Sequence, residues 1–140
     1  MTLLITGCRP LGGEPVDLLV DGEMIVEVGA AGSLATGGSE VEVIDAAGLI
    51  ALPGLVDVHT HLREPGREDA ETVLTGTRAA AAGGFTAGHA MAHPDPVADT
   101  AGGGEQVWRR GPEAGYGDVP PGGAVTGGIA GAPLAERGAL

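Results

Sequence analysis

Over the first 52 residues, apolar positions fall in short runs broken by turn residues. Leu3–Thr6, Asp17–Val20, Met24–Val28 and Val41–Ile44 are rich in aliphatic and β-branched side chains, and Gly12-Gly13, Asp21-Gly22 and Gly37-Gly38 separate them. Runs of this kind predict strands, and an Asp-Gly pair between two of them predicts a hairpin. From Pro53 the pattern changes. Leu55–His61 predicts a strand, and Glu71–Ala82 a helix with Glu71 in its first turn and Gly83-Gly84 as its stop signal. Phe85–Ala92 predicts a second strand. Val97–Arg110 predicts a helix that the glycines at 102–104 weaken by about 1 kcal/mol each. Val119–Thr126 predicts a third strand, and Leu134–Leu140 the start of a third helix. Alternation of strand and helix argues for parallel βα units, so the class is α/β. A small all-β layer over residues 1–52 precedes these units, which run over 53–140.

Composition narrows what such a chain can do. Its 140 residues include 27 Gly and 10 Pro but only three aromatics, Phe85, Trp108 and Tyr116. Aromatics supply much of the buried area in ordinary cores, so this core falls to Ala, Val, Leu and Ile. Lys and Asn are absent, and all seven cations are Arg. A net charge of −12 argues against nucleic acid and anionic membrane as partners. Cys8 is the sole cysteine, which excludes an internal disulfide and a Cys-based zinc cluster and fits a reducing cytoplasm. The N-terminus lacks the features of a signal peptide, and no run approaches the ~18 apolar residues of a membrane span.

The chemistry concentrates in residues 54–66, GLVDVHTHLREPG. Side chains alternate along a strand, which predicts Leu55, Asp57, His59 and His61 on one face. Imidazoles at i and i+2 reach a single metal ion, and zinc favours such nitrogen ligands. A bare His-x-His pair is more often two hydrogen-bonded histidines at a strand end. Three neighbours shift the balance. Ile50–Val58 is too apolar for a surface strand, Asp57 shares the histidines' face as a partner for a ring N–H, and Arg63 offers a fork for a carboxylate. Arg63 beside Glu64 also reads as a solvated loop pair of little energetic weight.

Residues 48–87, and above all HLREPG followed by a Glu-Thr helix start and GGFT, resemble the dihydroorotase family of cyclic amidohydrolases. The resemblance implies a partial (β/α)8 barrel of three βα units, preceded by part of a small β-sandwich. It implies His59 and His61 as ligands of a binuclear zinc site and Arg63 as the group that holds a substrate carboxylate. It further implies reversible hydrolysis of dihydroorotate to N-carbamoyl-L-aspartate, with a metal-activated water attacking the ring amide carbon. The family's Met-x-Asn-Thr stands here as Met91-Ala92-His93-Pro94, which puts His93 at a substrate-binding position with a different side chain. His89 reads as a satisfied barrel histidine. Gly88, Pro120-Pro121, Gly122, Gly127 and Arg137 are further departures.

On this reading the remaining ligands and the catalytic base belong beyond Leu140, and no Lys is present to supply a carbamylated bridge. Two histidines fall short of the three protein ligands typical of catalytic zinc, so the 140 residues alone are expected to show little activity and to aggregate at an unfinished barrel edge. For a longer chain the resemblance leaves open a homodimer or an association with aspartate transcarbamoylase. Two other readings remain. One is a related cyclic amidohydrolase such as an allantoinase or hydantoinase. The other is a non-catalytic, dihydroorotase-like structural partner, which His93 favours and the retained His59 and His61 oppose.

Overall fold

The computed structural model describes residues 1–35 and 41–135. It divides into two compact units, Met1–Pro53 and Gly54–Leu140. The Gly37-Gly38 turn and all but the first two residues of the predicted Leu134–Leu140 helix, Arg137 among them, lie outside the described residues.

The first unit is a sheet of β1 (Thr2–Pro10), β2 (Val16–Asp21), β3 (Met24–Ala30), β4 (Val41–Asp45) and β5 (Ile50–Ala51). The order is β3-β2-β1-β4, with β5 continuing alongside the end of β1. The β1–β2 and β2–β3 pairs are antiparallel, and β4 and β5 run parallel to β1. Asp21 pairs with Met24, so the hairpin turns on Gly22-Glu23, with Gly22 at φ 59°. Cys8, Leu18 and Ala46 form the core, with Ile5, Val16 and Ala51 against them. Asp17 is wholly buried, and its carboxylate accepts the backbone N–H groups of Gly7 (3.0 Å), Gly32 (2.8 Å) and Leu34 (3.3 Å). A buried charge is tolerable when it is hydrogen-bonded in this way.

The second unit contains β6 (Leu55–Thr60), α1 (Val73–Ala82), β7 (Phe85–Ala90), α2 (Ala101–Ala114) and a single 3₁₀ turn at Gly127–Ile129. Strands β6 and β7 are parallel and α1 is their crossover. Helix α1 starts later than its sequence predicts. Thr72 is the N-cap in a capping box with Thr75, and Glu71 lies outside the first turn. Gly83 closes the helix by donating to the carbonyls of Ala79 and Ala80. Helix α2 is displaced four residues toward the C-terminus because Thr100, whose hydroxyl accepts from the Gly103 N–H at 3.4 Å, caps it. The three glycines therefore fall inside its first turn, and Pro112 near its end.

The predicted strand Val119–Thr126 does not form. Instead of a continuous ladder, two isolated parallel bridges, Ala87 to Asp118 and Ala90 to Pro121, join residues 118–121 to β7. Pro120 and Pro121 lack the N–H groups a ladder needs, and two glycines follow them. Leu134 likewise makes an antiparallel bridge to Thr126 instead of starting a helix. The core of this unit is Leu62, Val73, Ala90, Val107 and Val119. Strand β6 is less covered than its composition predicts: Val56 is 56% and Val58 72% exposed, and β7 is its only strand neighbour among the described residues. Among those residues, no helix is long and apolar enough to cross a membrane.

Candidate metal and carboxylate site

Strand β6 ends at Thr60, so His59 sits on the strand, while His61, Leu62 and Arg63 open the loop beyond it. The Thr60 carbonyl accepts the Met91 N–H at 2.8 Å, which ties this exit to the end of β7. Leu62 turns inward and is 7% exposed, packed beneath α1. Beside the buried Leu62, Arg63 is exposed and His61 half-buried.

The two motif histidines converge. Nε2 of His59 stands 3.1 Å from Nε2 of His61, with ring centroids 5.1 Å apart. Two nitrogens each about 2.0–2.1 Å from a tetrahedral zinc stand roughly 3.3 Å apart, so this separation matches a pair of ligands on one cation. The His61 tautomer that leaves Nε2 free carries its proton on Nδ1, and that atom is buried without a hydrogen-bond partner among the described residues. Metal-bound histidines ordinarily donate that second N–H to an acceptor. The 3.1 Å separation suits two ligands of one cation and equally a ring-to-ring hydrogen bond, while Nδ1, unpartnered among the described residues, lacks the acceptor that a metal-bound histidine ordinarily has. No group of three His, Cys, Asp or Glu side chains among the described residues is placed to complete the coordination.

The third histidine is adjacent. His93, on the loop after β7, has its ring centroid 5.0 Å from that of His61. His61, Arg63, Met91 and His93 line one small cavity together with Glu64 and Val107. Burial pushes the His61 imidazole below its ordinary value, and the positive Arg63, then His93 and His59, push the same way. Both effects favour the neutral imidazole, the form that donates a lone pair to a metal. His89 is exposed on β7, away from this cluster.

Asp57 departs from its predicted role. Its Oδ1 accepts the His59 backbone N–H at 2.9 Å and does not reach a ring nitrogen. It lines a separate cavity with Thr60, Leu62 and Thr77. The β6–β7 register shifts between Asp57 and Thr60, and such an irregularity breaks the strict alternation that would have kept Asp57 with the histidines. Glu64 also departs from the solvated pair expected with Arg63. Its Oε1 accepts the Arg110 Nε–H at 2.9 Å and its Oε2 accepts the Val73 N–H at 2.8 Å. Arg110 is 46 residues away in sequence, so no local spacing signals the contact.

Residues 48–139 match the family model described as dihydro-orotase-like. The chain is 62% identical over 137 residues to a dihydroorotase of Streptomyces coelicolor, covering 98% of this chain and 31% of that protein. It is 52% identical over 141 residues to a dihydroorotase of Mycobacterium tuberculosis, covering 100% of this chain and 32% of that one. The chain therefore spans about a third of the length of the curated relatives it matches. Among solved structures, a D-hydantoinase (dihydropyrimidinase) from Thermus sp. superposes with a TM-score of 0.65 at 31% identity, over 89% of this chain and 28% of that one. An L-hydantoinase (dihydropyrimidinase) from Arthrobacter aurescens gives a TM-score of 0.73 at 23% identity, over 90% and 28%, a likeness of fold. With a matched region that includes the converging histidines and the Arg63 loop, the chain belongs to the dihydroorotase-like family of cyclic amidohydrolases.

Proposed function

We propose that this chain supplies the first metal-binding corner and the carboxylate-binding arm of a zinc-dependent dihydroorotase. The reaction is the reversible hydrolysis of (S)-dihydroorotate to N-carbamoyl-L-aspartate, a step of pyrimidine synthesis in the cytoplasm. The observation that carries this reading is the 3.1 Å convergence of His59 and His61 two residues from Arg63. His59 and His61 hold the cation through Nε2. A bound zinc ion would lower the pKa of a water and polarise the scissile carbonyl. Arg63 pairs its guanidinium with the substrate carboxylate, a planar match that fixes the ring's orientation. His93 borders the same cavity and faces the substrate. The parallel β6–α1–β7 unit, bridged in parallel by the segment at 118–121, supports the first part of a (β/α)8 barrel. The sheet of Met1–Pro53 supports part of a β-sandwich.

Arg63 separates this reading from a hydantoinase-type one, since a hydantoin or dihydropyrimidine ring without a carboxylate gives the guanidinium no partner. In the longer protein, Arg63→Ala is expected to raise KM for dihydroorotate and leave any turnover of dihydrouracil unchanged. In the 140-residue chain, zinc binding followed by calorimetry is expected to vanish in His59→Ala and in His61→Ala. Wild-type zinc affinity in both variants would refute the metal assignment.

A further inference from the structure

The loop that carries Arg63 is held in a conformation its own backbone resists. Arg63 has φ 56°, in the left-handed region that L side chains disfavour. We propose that Glu64 is the positioning residue for Arg63: by gripping α1 and α2 at once, its carboxylate fixes the guanidinium where it meets a substrate carboxylate. This rests on the reading of Arg63 as the carboxylate-binding arm.

The grip has two ends. Val73 is the first residue of α1, and its N–H is one of those the helix itself leaves unpaired. Glu64 Oε2 accepts it at 2.8 Å, where the helix dipole favours a negative charge. Glu64 Oε1 takes the Arg110 Nε–H at 2.9 Å, and the Arg110 Nη1 donates to the Gln106 carbonyl at 3.1 Å, which steadies the guanidinium on α2. The Glu64 and Arg110 side chains are 19% and 28% exposed, so solvent screens this pair far less than a surface pair. The backbone follows: Glu64 N–H bonds the Leu62 carbonyl at 2.7 Å, and Arg67 N–H bonds the Arg63 carbonyl at 2.9 Å. The Arg63 guanidinium itself makes no ion pair among the described residues. Its backbone is fixed while its donors stay available, which is the arrangement a ligand-binding arginine requires.

A role confined to capping α1 would make a different prediction from one that positions Arg63, and amide hydrogen exchange on the 140-residue chain separates them. Val73 reports the helix end of the grip, Arg67 reports the Arg63 turn, and Ala90, whose N–H bonds the Pro120 carbonyl at 3.0 Å, reports the fold. In Glu64→Gln the amide accepts from only one of the two donors. Exchange at Arg67 is expected to rise about tenfold or more, as the loss of a charge-assisted bond allows, with Ala90 unchanged. Arg110→Met, on the other element, is expected to do the same and serves if Glu64→Gln unfolds the unit. Protection retained at Arg67 in both variants, with Val73 alone exposed, overturns the proposal and leaves Glu64 a helix cap. A calorimetric arm with N-carbamoyl-L-aspartate and the longer, zinc-loaded protein tests the underlying reading separately. Glu64→Gln is expected to weaken binding, and to weaken it no further in an Arg63→Ala background. Additive losses overturn the positioning role. No binding by the wild type, with the exchange result intact, refutes the carboxylate reading and leaves the grip on the loop standing.

Discussion

Replacing Gly66 by alanine combines two costs, and the same change at Gly84 isolates one of them. Both glycines lie in the second unit at positive φ, 104° and 85°. A Cβ there costs about 1–2 kcal/mol of backbone strain, partly offset by about 0.4–1 kcal/mol from the stiffer unfolded chain. At Gly84 nothing lies within 4 Å of the added Cβ, so that net term is the whole effect, near 1 kcal/mol by the same sum. At Gly66 the Cβ would stand 2.5 Å from the Asp95 carbonyl oxygen and 2.6 Å from the Asp95 Cβ. The backbone of 91–96 must move, and the Asp95 N–H bond to the Pro65 carbonyl at 2.9 Å resists that motion. Crowding of this kind costs about 1–3 kcal/mol. Gly66→Ala should therefore be the more destabilising by about 1–3 kcal/mol, a urea midpoint lower by on the order of 1 M. Equilibrium urea unfolding of the two variants, followed by circular dichroism, measures the difference. Equal midpoints would mean that the approach of the two loops is not a constraint and that Gly66 serves the turn alone.

Three further outcomes follow from burial and charge. Val73→Ala, at a side chain 1% exposed, should cost about 1–3 kcal/mol, while Val58→Ala, 72% exposed, should stay within about 0.5 kcal/mol. Similar costs for the two would contradict the described core. The Gly7 N–H, aided by those of Leu34 and Gly32 and opposed by burial, holds the Asp17 carboxyl below its ordinary 3.8. Because the unfolded chain takes up that proton first, the first unit's extra stability is present above this value and lost as pH falls below it through the folded pKa. Asp17→Asn should remove that acid sensitivity, and an unaltered slope in acid unfolding would rule it out. In the metal-free chain, His61 should titrate by NMR below the ordinary 6.5, and Arg63→Ala should raise its midpoint. The folded form resists protonation, so the stability this group contributes is present above 6.5 and lost as pH falls through the lowered value. An unmoved midpoint in Arg63→Ala would show that the guanidinium is remote from the ring.

The legible parts of the chain were those governed by local rules. Alternation and turn chemistry located β1 to β4, β6 and β7 within a few residues. The His-x-His spacing anticipated the convergence of two rings. Elements went astray where one hydrogen-bonding group outweighed a pattern. The hydroxyls of Thr72 and Thr100 moved both helix starts, and two consecutive prolines dissolved the segment read as a third strand. Asp57 leaves the histidines' face because of a register shift, which is a property of two paired strands and has no signature in one of them. The Glu64–Arg110 contact has no sequence signature for a related reason. Its partners meet only after α1 and α2 have packed, and a Glu in a loop carries no mark of its destination.

Leu62 stands between the histidines and Arg63 in sequence, yet belongs to the same cluster as Val107 and Val119. The rim of the site and the interior of the unit are therefore inherited together. A change at Val107 or Val119 acts on the residue that spaces His61 from Arg63. A search that samples only the lining of the cavity would include Val107 and overlook Val119, although both pack against the residue between His61 and Arg63.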